Sequence, residues 1–188
     1  MSSVTVDLKS NETSIHNTDA EPWKITLVDT GELTMTGSRI LRIKDYIGAD
    51  EYFHLTYGDG LSDVDINKLT DFHINSKKLA TLTAVAPPGR FGALEIQENS
   101  VKKFKEKPKG DGNHINGGFF VLSNKIFEYI DNPDTCVWEE APLKKLSSDG
   151  ELNAYIHNDF WQPMDTLRDK QRLEKLWEEN KAPWKNWD

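Results

Sequence analysis

The chain has 188 residues, of which 37% are hydrophobic and 29% charged, and its formal net charge is −8 at pH 7. This length and composition predict a single domain with a substantial core. The acidic balance argues against general binding to nucleic acid or to an anionic membrane, because phosphate groups select basic surfaces. A small phosphorylated ligand is not excluded, since it needs only a local cluster of donors.

Cysteine content and apolar patterning predict the cellular compartment. The one cysteine, Cys136, has no partner for an internal disulfide, which suits a reducing environment. No apolar stretch in the sequence is long enough to cross a bilayer, and residues 1–17 lack the features of a signal peptide. We therefore expect a soluble, cytoplasmic protein with one domain over residues 1–188.

Strand and helix patterns alternate along the chain, which predicts an α/β fold with a mixed, mainly parallel sheet. The strand pair at 93–105 adds an antiparallel element. In chain order, the predicted elements are strands at 4–8 and 23–28, a helix at 38–47, a strand at 53–56, a helix at 65–74, strands at 79–85, 93–97 and 101–105, helices at 124–130 and 138–146, a strand at 152–156 and a helix at 166–179.

Two aspartates stand in settings that favour function. Asp59 lies between two glycines directly after the predicted strand at 53–56, where ligands of open parallel sheets bind. The alternative is a turn aspartate, since Gly-Asp-Gly is a common turn composition. Asp165 precedes the last predicted helix, where it could cap that helix beside Thr166, bind a metal, or do both. Two such carboxylates could hold one Mg²⁺ against the phosphates of a nucleotide.

Three further segments carry groups suited to a sugar phosphate. Residues 101–110 hold five lysines and Glu106, and Pro108 fixes the preceding residues in extended form. A carboxylate can accept sugar hydroxyls while a neighbouring ammonium meets a phosphate, although a solvated charged face is the default explanation. Asn116-Gly117-Gly118 offers unobstructed backbone amides, or else forms a bulge or a close strand contact. Residues 87–92 form a stiff loop whose Arg90 reaches an anion or solvent.

Seven segments occurring in order together resemble a known family. They are Val28-Asp29-Thr30-Gly31, Thr36-Gly37-Ser38-Arg39, Tyr57-Gly58-Asp59-Gly60, Pro87-Pro88-Gly89-Arg90-Phe91-Gly92, Glu106-Lys107-Pro108-Lys109-Gly110, Asn116-Gly117-Gly118-Phe119-Phe120 and the run from Phe160 to Asp169. The set resembles the glucose-1-phosphate cytidylyltransferases (CDP-glucose pyrophosphorylases) of the sugar-nucleotide transferase family, from about residue 21 onward. Each segment alone is only weak evidence for the family, but seven segments in the same order are highly specific for it.

The resemblance implies a Rossmann-like nucleotidyltransferase fold and transfer of a cytidylyl group from CTP to α-D-glucose 1-phosphate, giving CDP-glucose and pyrophosphate. It implies Mg²⁺ as cofactor, Asp59 and Asp165 as its ligands, and these two acids with Lys107 as catalytic residues. The substrate-binding residues that it implies are Thr30, Gly31, Arg39, Tyr57, Gly58, Gly89, Glu106, Asn116 and Gly117. In this family CDP-glucose commonly leads to dideoxy sugars of bacterial surface polysaccharides such as O antigens.

One family feature is not found in the 188 residues. Family members open with a glycine-rich loop of the form GGxGTRL and a Pro-Lys element, which cradle the nucleotide phosphates. Met1 aligns with an internal position, so we expect an N-terminally truncated domain with an exposed apolar strand edge and little or no catalysis by the isolated chain. The alternative is a non-catalytic sugar-phosphate-binding or assembly partner.

For partners, the resemblance implies CTP and glucose 1-phosphate, with neither nucleic acid nor membrane. It also implies a homo-oligomer, or a second polypeptide that supplies the opening segment.

Overall fold

The structure is a computed structural model, and it describes residues 3–17, 23–87, 93–97, 100–105 and 114–187. The chain forms two compact units, Met1–Thr30 and Gly31–Asp188. The single domain expected over residues 1–188 therefore stays a prediction.

The first unit contains a β-hairpin. Strands β1 (Ser3–Asp7) and β2 (Glu12–Asn17) pair antiparallel, with Val4 opposite Ile15. The predicted strand at 4–8 is confirmed over most of its length, but its predicted half-burial is wrong, because Val4 is 52% exposed and Val6 54% exposed. A two-stranded hairpin has no second layer of its own to cover an apolar face.

The strand predicted at residues 23–28 is wrong. The structure describes these residues without regular secondary structure, and Trp23, Ile25 and Leu27 are largely exposed. The alternation of apolar side chains is present, but a strand also needs a neighbouring backbone to complete its hydrogen-bond ladder. Among the described residues, none pairs with this segment in a ladder.

The second unit has strands and helices in mixed order. They are α1 (Thr36–Arg42), α2 (Lys44–Ile47), β3 (Tyr52–Thr56), β4 (Gly60–Ser62), α3 (Ile66–Ser76), β5 (Ala80–Val85), β6 (Ala93–Gln97), β7 (Ser100–Lys105), β8 (Ile115–Ser123), a 3₁₀-helix (Asn124–Tyr129), α4 (Ala141–Ser148), β9 (Leu152–His157), β10 (Trp161–Pro163) and α5 (Leu167–Glu178). Among these described residues, no helix combines the length and apolar character that a bilayer crossing requires.

A mixed sheet of four strands forms the centre of this unit, in the order β3-β8-β5-β9. Strands β3, β5 and β9 run in one direction, and β8 runs antiparallel between β3 and β5. The pairs β4–β10 and β6–β7 are short and antiparallel. The α/β class and the mixed sheet predicted from the sequence are therefore confirmed. The expectation that the sheet is mainly parallel is not, because among the described strands only β5 and β9 pair in parallel.

The core of the second unit lies against β5 and β8, which are buried along most of their length. Phe120 on β8 and Trp138 meet edge to face with ring centroids 6.1 Å apart. Both are almost fully buried, and such rings contribute large apolar areas to a core. The sheet is thus held rigidly, and loops at its ends can place side chains reproducibly.

Helix starts follow local capping chemistry. The Asp65 side chain accepts the Lys68 amide at 3.0 Å and begins α3. The helix predicted at 138–146 begins later, at Ala141, with Pro142 in its first turn, where a missing amide hydrogen costs nothing. The segment predicted as a helix at 124–130 is a 3₁₀-helix.

Candidate functional site

Backbone pairing brings the segments of Asp59 and Asp165 together. In the β4–β10 pair, Gly60 lies opposite Pro163, and just beyond it the Met164 amide donates to the Asp59 carbonyl at 2.7 Å. Both aspartates are exposed. The two acids, distant in sequence, therefore sit on adjacent backbones at the end of β3, while their role as metal ligands stays a prediction.

The cap of α5 is provided by residues other than Asp165. The Thr166 hydroxyl accepts the Asp169 amide at 3.2 Å, and the Asp169 carboxylate accepts the Thr166 amide at 3.0 Å. This reciprocal capping box satisfies two donors at the helix start. The capping box is therefore complete without the Asp165 carboxylate.

Tyr57 connects the Asp59 loop to β8. Its amide donates to the Gly118 carbonyl at 3.3 Å, and its hydroxyl donates to the Glu139 carboxylate. The Asn116 side-chain amide donates to the Tyr57 hydroxyl at 3.4 Å, and the Asn116 side-chain oxygen accepts the Gly118 amide at 2.9 Å. Tyr57 and Asn116, both predicted to bind substrate, thus belong to one hydrogen-bonded cluster.

The glycine pair of β8 is required by packing. A Cβ on Gly117 would lie 2.9 Å from Val85 Cγ1, and a Cβ on Gly118 would lie 2.6 Å from Tyr57 Cδ2. The β5–β8 register shifts between Leu82 and Ala84, opposite this pair, so the bulge considered from the sequence is present. The Gly117 carbonyl accepts a hydrogen bond from the Trp161 indole at 2.8 Å, which connects β10 to β8 at the glycine pair.

Glu139 is a site residue that sequence reasoning missed. Its two carboxylate oxygens accept the Tyr57 hydroxyl and, at 2.9 Å, the Thr36 hydroxyl at the start of α1. Glu139 sits just before α4 within a segment predicted to be helical, and nothing in its immediate sequence indicates contact with Tyr57. Only the tertiary fold joins these positions.

Partial burial raises the pKa of the Tyr57 hydroxyl well above its ordinary value, and the hydrogen bond to Glu139 and the negative charge of Glu139 raise it further. The phenol therefore stays protonated at neutral pH and remains a donor. Asp59 adds a smaller contribution in the same direction, which places its charge near the phenol.

The variant Glu139→Gln is expected to lower the pKa of Tyr57 toward its ordinary value without restoring it, because burial remains when the charge is removed. A pH titration of the tyrosine ring carbons by NMR measures this shift. The neighbouring exposed residue provides the control Glu140→Gln, which removes the same charge without touching the phenol. An equal pKa of Tyr57 in the two variants would contradict the claim that Glu139 raises it.

Gly31 lies just before a turn at residues 32–33, and Arg39 lies in α1, both in the second unit. Gly31 has a φ of +84°, and a Cβ there would lie 2.7 Å from the Thr34 hydroxyl oxygen. The Arg39 guanidinium donates to the Glu32 carbonyl at 3.1 Å. Thr30 is half-buried and belongs to the first unit.

Three predicted site residues, Gly89, Glu106 and Lys107, lie outside the described residues. Gly58 is described, and it is exposed beside Asp59. Within the described ranges, no group of three or more histidine, cysteine or acidic side chains is placed to hold a metal ion. A metal at this site would therefore take few ligands from this part of the chain.

Comparison with known proteins identifies the family. The nucleotidyl transferase family model matches residues 9–177. The chain belongs to this family. It is 55% identical over 188 residues to the glucose-1-phosphate cytidylyltransferase of Salmonella typhi and equally to that of Salmonella typhimurium, covering 100% of this chain and 73% of each relative.

Solved structures share the fold. The structure of HddC from Yersinia pseudotuberculosis superposes with a TM-score of 0.58 at 23% identity, covering 78% of this chain and 64% of that one. The Rossmann-like nucleotidyltransferase fold implied by the sequence resemblance is confirmed. The chain thus spans somewhat less than two thirds of this structural relative.

Proposed function

We propose that this chain contributes to transfer of a cytidylyl group from CTP to α-D-glucose 1-phosphate, which gives CDP-glucose and pyrophosphate. The observation that carries the proposal is 55% identity to the Salmonella typhi glucose-1-phosphate cytidylyltransferase across the whole chain. The match spans all 188 residues and so includes the segments that bear Asp59, Asn116 and Asp165. The activity of the complete relatives is proposed for this chain because the chain covers only 73% of their length.

The reaction is a phosphoryl-centre substitution. A phosphate oxygen of glucose 1-phosphate attacks the α-phosphorus of CTP, forming the new P–O bond, while the bond from the α-phosphorus to the bridging oxygen breaks and pyrophosphate leaves with its electron pair. Little covalent chemistry is asked of the protein, so positioning and electrostatic stabilisation carry the rate. The protein must hold two polyanions in line and offset their mutual repulsion.

The sugar phosphate is proposed to bind beside β8. Gly117 and Gly118 are buried and the Gly118 amide already donates to the Asn116 side chain, so this pair does not offer the unobstructed amides expected from the sequence. Asn116 and the protonated Tyr57 hydroxyl offer polar groups to sugar hydroxyls. Glu106 and Lys107, placed by resemblance, would accept a hydroxyl and meet the phosphate. Gly58, Gly89, Gly31, Thr30 and Arg39 keep their proposed role in substrate binding.

The residues present fit Mg²⁺. Asp59 and Asp165 are exposed carboxylates on backbones joined by the 2.7 Å hydrogen bond from Met164, and Mg²⁺ in nucleotide sites typically takes one or two carboxylates plus phosphate oxygens. These two side chains would hold the ion. When bound, Mg²⁺ offsets negative charge on the nucleotide phosphates. The Tyr57 cluster orients the loop that carries Asp59.

A second candidate function is a sugar-phosphate-binding module without turnover. It is favoured by the hydrogen-bonded cluster of Tyr57 and Asn116, which offers polar groups to a sugar phosphate whether or not a nucleotide binds. Glucose 1-phosphate binding is common to both functions, and only pyrophosphate release separates them. In either case we place the protein in the cytoplasm. With the cytidylyltransferase function, it would supply activated glucose for surface polysaccharide such as O antigen.

Calorimetric titration of the 188-residue chain with glucose 1-phosphate tests the shared part of the proposal. We expect saturable binding that Lys107→Met weakens by at least about tenfold, since a phosphate loses its nearest ammonium, while Lys109→Met serves as the matched control. Absence of binding would contradict both functions. Equal loss in the two lysine variants would contradict the role of Lys107.

A pyrophosphate-release assay with CTP, Mg²⁺ and glucose 1-phosphate then separates the two functions. Release that requires all three components would support the cytidylyltransferase function. Binding of glucose 1-phosphate without release would support the binding module.

A further inference from the structure

A cavity of about 400 Å³ lies at the end of β3 away from Asp59. Tyr52, the first residue of β3, lines it, whereas Asp59 follows the last residue, Thr56. A strand of this length spans roughly 16 Å. The cavity is therefore separate from the candidate functional site, and ligand binding in it does not depend on the proposed function.

Three lysines line this cavity: Lys77 and Lys78 after α3, and Lys125 in the first turn of the 3₁₀-helix. In the part of the chain that the structure describes, none of the three forms an ion pair with a carboxylate. Three lysines thus line one hollow in a chain whose net charge is −8. Such a cluster makes a local positive potential despite the acidic balance.

Two carboxylates, Asp50 and Glu51, also line the cavity. Their backbone carbonyls accept the side-chain and main-chain amides of Asn124, which fixes the course of this segment along the rim. The ammonium groups outnumber the carboxylates by one, and the carboxylates do not neutralise them by direct pairing. The formal charge of the lining side chains alone is therefore positive. The Glu151 carboxylate, outside the lining, accepts the Leu79 amide at 3.3 Å.

The wall of the cavity includes a fixed polar group. His73 is 4% exposed, its Nδ1 lies 2.9 Å from the Thr81 hydroxyl oxygen, and its ring meets Tyr52 edge to face. Ser123 adds a hydroxyl, and Leu79 adds apolar surface. A rigid wall with mixed polar and apolar character beside clustered ammonium groups is the composition of a small-molecule site.

We propose that this cavity binds a small phosphate monoester, whose dianionic group meets Lys77, Lys78 and Lys125 while its organic part lies against Tyr52 and Leu79. Ammonium groups bind phosphate as point charges, so three of them around one hollow select a compact dianion over a monoanion. The volume falls within the roughly 300–1,000 Å³ typical of small-ligand pockets. The ligand would act at the opposite end of β3 from the candidate functional site.

Two-dimensional amide and histidine-ring NMR spectra of the 188-residue chain, titrated with inorganic phosphate against chloride at equal ionic strength, test this proposal. We expect saturable shifts at Lys77, Ser123, Lys125 and the His73 ring. In the double variant Lys77→Ala/Lys125→Ala, phosphate should bind at least about fivefold more weakly, because two attractive charges are lost. Lys144→Ala, on the exposed face of α4, is the matched control and should leave the titration unchanged.

The amides of Gly58 and Gly60 report separately on phosphate at the candidate functional site. Shifts confined to those two residues, or shifts at the cavity that grow linearly with phosphate and match the chloride series, would overturn the proposal. The lysines would then serve only to offset the negative C-terminal end of α3. The proposal would also be overturned if the double variant and the control bound phosphate with equal affinity while the dispersed spectra of both showed that they are folded.

Discussion

Asp59→Asn is expected to weaken divalent-metal binding by at least about tenfold, or roughly 1.4 kcal/mol, and Asp165→Asn is expected to do the same. Each change removes one anionic ligand while preserving the size of the side chain. Both residues are exposed, so neither substitution should cost measurable folding stability. Titration with Mn²⁺ in the presence of glucose 1-phosphate, followed by water proton relaxation, measures the effect.

The double variant Asp59→Asn/Asp165→Asn makes this test more specific. If both acids hold one ion, the double variant should bind metal little worse than either single variant, because groups acting on a common ligand are not additive. Asp71→Asn, an exposed aspartate on α3, removes the same charge elsewhere and should change affinity by less than about twofold. Fully additive losses, or a loss in only one single variant, would contradict a shared site.

Gly118→Ala is expected to be the most destabilising of the glycine substitutions near the site, by about 2–5 kcal/mol. Its φ of +81° costs an alanine about 1–2 kcal/mol, and the new Cβ would lie 2.6 Å from a Tyr57 ring carbon. The ring cannot swing aside easily, since its hydroxyl is held by Glu139. Thermal unfolding followed by circular dichroism should show Tm lowered by at least about 5 °C.

Substitutions at two further glycines separate the two causes of the stability lost in Gly118→Ala, which are backbone strain and the contact with Tyr57. Gly150 has a φ of +70° but no atom within 4 Å of a built Cβ, so Gly150→Ala should cost only the backbone strain of about 1–2 kcal/mol. Gly58 also has open space, and its φ lies outside the left-handed region, so Gly58→Ala should be nearly neutral. A Gly118→Ala protein no less stable than Gly150→Ala would show that the Tyr57 contact contributes nothing.

Local chemistry explains why much of the fold was predictable. The capping residues Asp65 and Thr166 fix helix starts within a few residues, and the apolar run at 80–85 forms a central strand between β8 and β9. The segment at 23–28 has an equally strong local pattern and yet is described without a strand. Strand formation depends on a partner backbone, which one segment of sequence does not reveal.

The candidate functional site was predictable only where its residues share a segment. Tyr57, Gly58 and Asp59 follow one strand, so the sequence places them together directly. The adjacency of Asp59 and Asp165 arises from the antiparallel β4–β10 pair, three residues long on each side, which no periodicity indicates. Glu139 reaches Tyr57 through tertiary packing alone, and for that reason it escaped detection.

The most direct test of the central claim is a crystal structure of this chain with Mn²⁺ and glucose 1-phosphate, with the metal located by anomalous scattering. We predict one ion bound by carboxylate oxygens of both Asp59 and Asp165, at about 2.0–2.2 Å from each. An ion held by only one of these aspartates, or the two carboxylates turned to opposite faces of the β4–β10 pair, would contradict it.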